Sequence, residues 1–257
     1  MLTAIRQSDE SKVIASVAQK IEAPFFCPTC KKQVVLNKGN IKTHHFKHKP
    51  PITCHRGKGE TEAHMRCKLD VFHALANSAN ITGLELEKDF GVSVADVFAC
   101  INSIPVAIEI QRSNLSVSDI TTRTENYHRL GVAVIWIGLR NENLSSNMYS
   151  PKAWEKWCHA TYFGRVYYWV EGLILQPIHF GDYKLYVEQR TWYEPGGSEN
   201  TSGGYYKTSK RYKTPSPGVL VNLATDFRWE VKKAFSSKTI RIPQCTIYVD
   251  NQKAWWK

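Results

Sequence analysis

Two sets of residues in this 257-residue chain have types and spacings that could do chemistry. The first lies in "FFCPTCKKQVVLNKGNIKTHHFKHKPPITCH". Cys27 and Cys30 have the Cys-x-x-Cys spacing whose tight turn aims two thiolates at one point. His45 and His48, three residues apart, and Cys54 beyond them offer a second half, so five candidate ligands compete for the four places of a tetrahedral zinc. A closed four-ligand shell leaves no open position, so this zinc would be structural. Lys31, Lys32, Lys38, Lys42, Lys47 and Lys49 surround the cluster and would suit phosphate contacts.

The second set is acidic. In "IPVAIEIQRSN" a glutamate, Glu109, interrupts an apolar run, where an unpartnered carboxylate would lose its hydration. Asp96 lies in the preceding segment "VSVADVFACI", and a tight turn at Asn102-Ser103 would fold the two segments into a hairpin. The acids could then face the same side and share a divalent cation, and Gln111, two residues after Glu109, shares its face. Upstream, Glu60, His64 and Lys68 follow i, i+4, i+8 spacing along one helical stripe. Hydrolysis of a phosphodiester needs a metal that neutralises developing charge and acidifies a water, and Asp and Glu oxygens hold magnesium or manganese. Gln111 could orient the water and Lys68 could supply charge.

The elements that must position these groups are legible from periodicity. "GETEAHMRCKLDVFHALAN" reads as a helix capped by Thr61, with Met65, Leu69, Phe72 and Leu75 at helical spacing. Three extended segments follow, near Leu84 to Phe90, Val92 to Ile101 and Ile104 to Ile110. Residues 116–130 read as a second helix, capped by Ser116 or Ser118 and ended by Gly131, before the apolar strand "VAVIWIG". Beyond residue 148 the chain becomes rich in tryptophan and tyrosine, with a helix near Pro151 to His159 and several strands. There Tyr167, Trp169 and Trp192 read as strand core. "EPGGSENTSGGYYKTSKRYKTPSPG" reads as a mobile basic loop in which Tyr205, Tyr206 and Tyr212 could stack on bases.

Charge separates the same three stretches. Residues 1–58 hold 11 Lys and Arg against 3 Asp and Glu, residues 59–150 hold 7 against 11, and residues 151–257 hold 16 against 9, for a net charge of +11. Two basic flanks around an acidic middle suit a nucleic-acid partner. No apolar run approaches the roughly 20 residues of a membrane span, and the first 20 residues have no continuous apolar stretch, so a cytoplasmic protein without a membrane partner is expected. Seven cysteines at irregular spacing do not form a secreted disulfide framework.

In this order, "CPTC", "HHFKH", "GETEAHMRCK", "ADV", "AIEIQRS" and "RTENYHRLGVAVIWI" resemble the competence protein CoiA family over about residues 25–140. The resemblance implies an α/β (α+β) chain with a zinc-binding module, taken as residues 1–58, and a PD-(D/E)XK restriction-endonuclease-like core over 59–148; it does not cover residues 149–257, which composition reads as a basic, aromatic, β-rich C-terminal domain. It implies a metal-dependent DNA nuclease, with Asp96 and Glu109 as ligands of magnesium or manganese and Glu60 with His64 matching the helix motif. Gln111 stands where the wider superfamily carries lysine, a departure the family itself shares. Arg123 and Tyr127 would form the far wall of the site. Arg112, Arg123, Tyr127, Lys207, Lys210, Arg211 and Lys213 are the expected nucleic-acid contacts. The alternative is a zinc-containing nucleic-acid-binding protein that keeps the nuclease fold without catalysis, and a further rival is an interaction protein whose basic faces meet an acidic protein. Further copies of the chain, or other recombination or defence proteins, are open as partners.

Overall fold

Residues 1–54, 56–57, 59–111, 115–237 and 239–257 are described by the structure, a computed structural model. The first 48 residues build a small antiparallel sheet from β1 (Thr3–Arg6), β2 (Lys12–Ile14), β3 (Phe25–Phe26), β4 (Gln33–Asn37) and β5 (His45–His48), in the order β2-β1-β3-β4-β5. Along β4, Val34 and Leu36 are buried and their neighbours exposed, the alternation of a sheet covered on one face. Those two side chains pack with Phe25 and Phe46 in a core of their own.

Helix α1 (Glu62–Ala76) begins where Thr61 accepts a hydrogen bond from the His64 backbone N–H, so the expected cap is formed. Met65, Val71 and Leu75 turn inward from it. Strands β6 (Ile81–Asp89), β7 (Val94–Ile101) and β8 (Ile104–Gln111) then run antiparallel. Asn102 and Ser103 both take positive φ, 49° and 69°, the backbone that a two-residue hairpin between twisted strands requires. Helix α2 (Val117–Arg129) is capped by Ser116, and Gly131 at φ 69° stops it. Strand β9 (Ala133–Leu139) returns parallel to β8, buried along nearly its whole length, as a strand covered on both faces must be.

The C-terminal third adds α3 (Ala153–Thr161), β10 (Val166–Glu171), β11 (Ile174–Val187), β12 (Arg190–Tyr193), β13 (Glu199–Ser202), β14 (Tyr205–Pro217) and β15 (Val221–Asn222). It closes with β16 (Phe227–Lys232), β17 (Phe235–Ser236), β18 (Arg241–Ile242) and β19 (Cys245–Asp250). The large sheet runs β14-β11-β10-β9-β8-β7-β6. Its far side forks: β19 meets β9 at Val134, and β10 meets β9 at residues 137–139, both parallel. Composition places a boundary near residue 148, but the sheet continues through it, and one core extends from Leu2 to Val249. The edge that β9 would otherwise leave open is thereby covered.

Two readings of the C-terminal region are corrected. Residues 199–217 are not a loop: β13 and β14 pair with β12 and β11, because their threonines and tyrosines favour extended backbone and find partner strands. Tyr167 is buried and Trp169 half-buried, but Trp192, read as core, is 47% exposed. No helix among the described residues is long and apolar enough to cross a membrane.

A candidate acidic site and a metal-ligand cluster

Strand register assembles the acids. The pairs Leu86–Val97 and Lys88–Ala95 flank Glu87 and Asp96, and the pair Val97–Ile108 lies next to Asp96 and Glu109, so three carboxylates occupy one row across β6, β7 and β8. Asp96 accepts the Ile110 backbone N–H at 2.9 Å, which locks it against the strand that carries Glu109. From α1, His64 Nε2 reaches Asp96 Oδ2 at 3.2 Å, and Lys68 Nζ lies 3.3 Å from Asp96 Oδ1. Contacts thus join Glu60, His64, Lys68 and Asp96, and strand register sets Glu109 beside Asp96. Gln111 closes the row's strand, buried and opposite Gly138 of β9.

Lys68 is almost fully buried and stands among three carboxylates: it donates to Glu60, to Glu87 at 3.0 Å, and faces Asp96. Three N–H groups meet three acids, which fixes the side chain. Burial alone would raise the Asp96 carboxyl, yet Lys68 and His64 hold it well below the usual carboxylate range. Glu87, fully enclosed, is likewise held at about 2, chiefly by Lys68 against the desolvation that would raise it. Both groups are therefore anions at neutral pH.

Glu109 is different. It is 0% exposed, and both donors that reach it, Arg123 and the Tyr127 hydroxyl, bind the same oxygen, Oε1. Its other oxygen, Oε2, is buried without a hydrogen-bond partner among the described residues. Burial pushes this carboxyl up to about 7; Arg123 opposes that, and the charge of Asp96 adds to it. An unsatisfied carboxylate oxygen in a dry site beside an ionised aspartate is the arrangement a hard cation would complete.

Tyr127, expected among the nucleic-acid contacts, is 0% exposed and serves Glu109 instead, because α2 packs its ring inward against Phe90. Arg123 likewise spends its guanidinium on Glu109, on the Val94 carbonyl at 2.9 Å and on the Trp136 face. Arg112 lies outside the described residues. Lys207, Lys210 and Arg211 are exposed on and beside the β14 strand, and Lys213 pairs with Asp182 at 2.7 Å.

Sequence reasoning missed Glu87 and Arg56. Glu87 accepts the backbone N–H groups of Leu2 and Thr3 and the Thr3 hydroxyl, which joins the N-terminal sheet to the acidic row. Arg56 donates to the Glu87 carbonyl at 3.1 Å and faces the Asp89 carboxylate at 3.3 Å. Glu87 sits in "LELEKD", where Glu85, Lys88 and Asp89 are charged as well, so nothing local singles this acid out.

In the N-terminal module Cys27, Cys30, His48 and Cys54 bring one ligand atom each within 4.8 Å of one another, a set that could hold a metal ion. Cys30 Sγ and His48 Nε2 are 3.3 Å apart. His45, the fifth candidate, turns its Nδ1 to the Thr43 carbonyl at 2.8 Å and its Nε2 to Asn37 at 3.2 Å. On β5 the two histidines are three apart and so face opposite sides of the strand, which is why only one reaches the thiols.

Comparison with known proteins covers the stretches that hold the cysteine cluster and the acidic row. Residues 8–57 match the family description "Competence protein CoiA, N-terminal domain", and residues 60–169 match "Competence protein CoiA, nuclease-like domain". No curated protein and no solved structure matches the chain. The two matches are contiguous, cover more than half of the sequence, and divide where the small sheet gives way to α1, so the chain belongs to the competence protein CoiA family.

Proposed function

We propose that the protein is a metal-dependent nuclease that hydrolyses phosphodiester bonds in DNA, with a PD-(D/E)XK-type core spanning α1 to β9. The observation that carries this reading is the buried, partnerless Oε2 of Glu109 in a row with the ionised Asp96. The donor set fits magnesium or manganese: hard oxygens, one of them buried and one, on Asp96, partly open to solvent. Asp96 and Glu109 would hold the ion, which when bound supplies charge neutralisation at the phosphate and an acidified water.

The chain's own groups then have separate tasks. Arg123 and Tyr127 fix the Glu109 carboxylate through one oxygen and leave the other free. Lys68 keeps Asp96 and Glu87 ionised and pairs with Glu60, so it is a positioning residue and not a donor to substrate. His64, hydrogen-bonded to Asp96, is the group placed to take a proton from a water in front of the acids. Gln111 has no charge, so the superfamily's lysine is not replaced at its own position.

The zinc module would hold the basic N-terminal face in shape: three thiols and one imidazole suit zinc, whose tetrahedral thiolates stand about 3.8 Å apart. Nucleic acid is the partner that the nuclease-like domain and the two basic flanks support. The second reading, a nucleic-acid-binding protein without catalysis, draws on the engagement of both candidate cations, Lys68 and Arg123, with carboxylates. Calorimetric titration with manganese separates the two readings without an activity assay. The nuclease reading expects saturable binding by the wild type that is lost in Asp96→Asn and Glu109→Gln; equal heats in all three proteins would overturn the assignment of the ion to these acids.

A further inference from the structure

Beyond Phe180 and Ser216 the strands β11 and β14 leave the core: neither strand contributes a core residue between Tyr183 and Tyr212. What projects is a two-stranded ribbon whose register sets Tyr186 opposite Tyr206, ring centroids 5.1 Å apart. Both rings are mostly in solvent, 52% and 70% exposed. At the ribbon's end Trp192 and Arg190 of β12 share a shallow cleft with Tyr186. Lys184 lies two residues from Tyr186 and so on the same face. Residues 183–213 hold six Lys and Arg against three Glu.

We propose that this ribbon is a stacking platform for single-stranded nucleic acid, with Tyr186, Tyr206 and Trp192 receiving bases and Lys184 and Arg190 meeting phosphates. The Tyr186–Tyr206 pair adds to the ribbon's own pairing, yet both rings remain more than half exposed, open to a base from solvent. Exposed rings interleaved with cations match the two halves of a nucleotide, a flat base and an anion. The strand must be single, because bases in a duplex are already stacked on each other and offer no free face. Two tyrosines side by side on a β-ribbon also keep their planes fixed, which a flexible loop of the same composition would not.

The inference rests on the nucleic-acid reading above only for the class of ligand, and binding is measured apart from cleavage. Fluorescence anisotropy with an end-labelled oligothymidylate of about 20 nucleotides, in buffer without magnesium or manganese, is the test. Stacking contributes enough per base that Tyr186→Ala/Tyr206→Ala should weaken binding about fivefold or more, as should Trp192→Ala. Tyr186→Phe/Tyr206→Phe should bind as the wild type does, since the ring faces remain. An abasic oligomer of equal length should bind the wild type weakly and show no further loss in the alanine variants. Equal affinity of the wild type for both oligomers, or an unchanged double alanine variant with unaltered melting, would overturn the platform. A wild type that binds oligothymidylate and loses affinity in the alanine variants, yet cuts no DNA with manganese, would sink the nuclease reading alone, so the two failures give different results.

Discussion

Replacing Glu109 by glutamine tests the electrostatics of the site at its deepest point. The carboxyl ordinarily titrates at 4.5 and burial raises it to about 7. Between those values the folded chain binds a proton that the unfolded chain has released, so stability falls as pH rises and levels off above about pH 7. The difference corresponds to roughly 3 kcal/mol. Glutamine keeps the shape and carries no titration. Urea denaturation of the zinc-loaded protein at pH 5, 6, 7 and 8, without magnesium or manganese, should therefore show the wild type losing roughly 3 kcal/mol relative to Glu109→Gln across that range. Other groups titrate in the same window, but they are common to both proteins and cancel in the difference. Manganese at pH 8 should restore stability to the wild type and leave the variant unmoved, because only the wild type gains a ligand for its ionised oxygen. Parallel stability profiles for the two proteins would refute the claim that Glu109 is desolvated without a compensating partner on Oε2.

Further outcomes follow from other contacts. Lys68→Met should lower stability by about 3–5 kcal/mol at pH 7, measured by urea denaturation, because Glu60, Glu87 and Asp96 lose their shared cation. Cys54→Ser should reduce bound zinc from about one ion per chain to a small fraction by elemental analysis, whereas His45→Ala should leave it in place, since His45 is bonded elsewhere. His159 is held at about 4 by burial, with His179 and Lys213 adding to it, and it accepts the Phe180 backbone N–H. The unfolded chain protonates this ring first as pH falls, so stability is complete above pH 6.5 and lost by roughly 2–3 kcal/mol toward pH 4; His159→Gln should flatten that limb in acid titrations.

Local signals in the sequence were enough for the acidic row's elements. Thr61 and Ser116 are caps, Asn102-Ser103 is a turn with one purpose, and an acid inside an apolar strand has to be met by something, so Asp96 and Glu109 could be placed opposite each other without coordinates. What could not be read is anything that depends on which strand lies beside which. Glu87 is two residues from an ordinary strand end, and only the β6–β7 register reveals that it shares Lys68 with Asp96. Arg56 follows the cysteine cluster in sequence but acts on the acidic row in space. Tyr127 falls on the inward stripe of α2 with Ile120 and Thr124, a spacing the polar composition of the helix masks, and only the fold shows its ring on Phe90 and its hydroxyl on Glu109. The C-terminal third misleads for the opposite reason. Its glycines and serines signal a loop locally, while pairing with β11, which no local pattern encodes, makes it a ribbon.

The central claim is that Asp96 and Glu109 hold the ion that drives phosphodiester hydrolysis. Cleavage of end-labelled single-stranded, duplex and branched DNA with added manganese, comparing the wild type with Asp96→Asn and Glu109→Gln, tests it most directly. The account expects manganese-dependent cleavage of at least one substrate by the wild type and its loss in both variants. Cleavage that persists in either variant, or a wild type that binds every substrate with manganese present and cuts none, would contradict it.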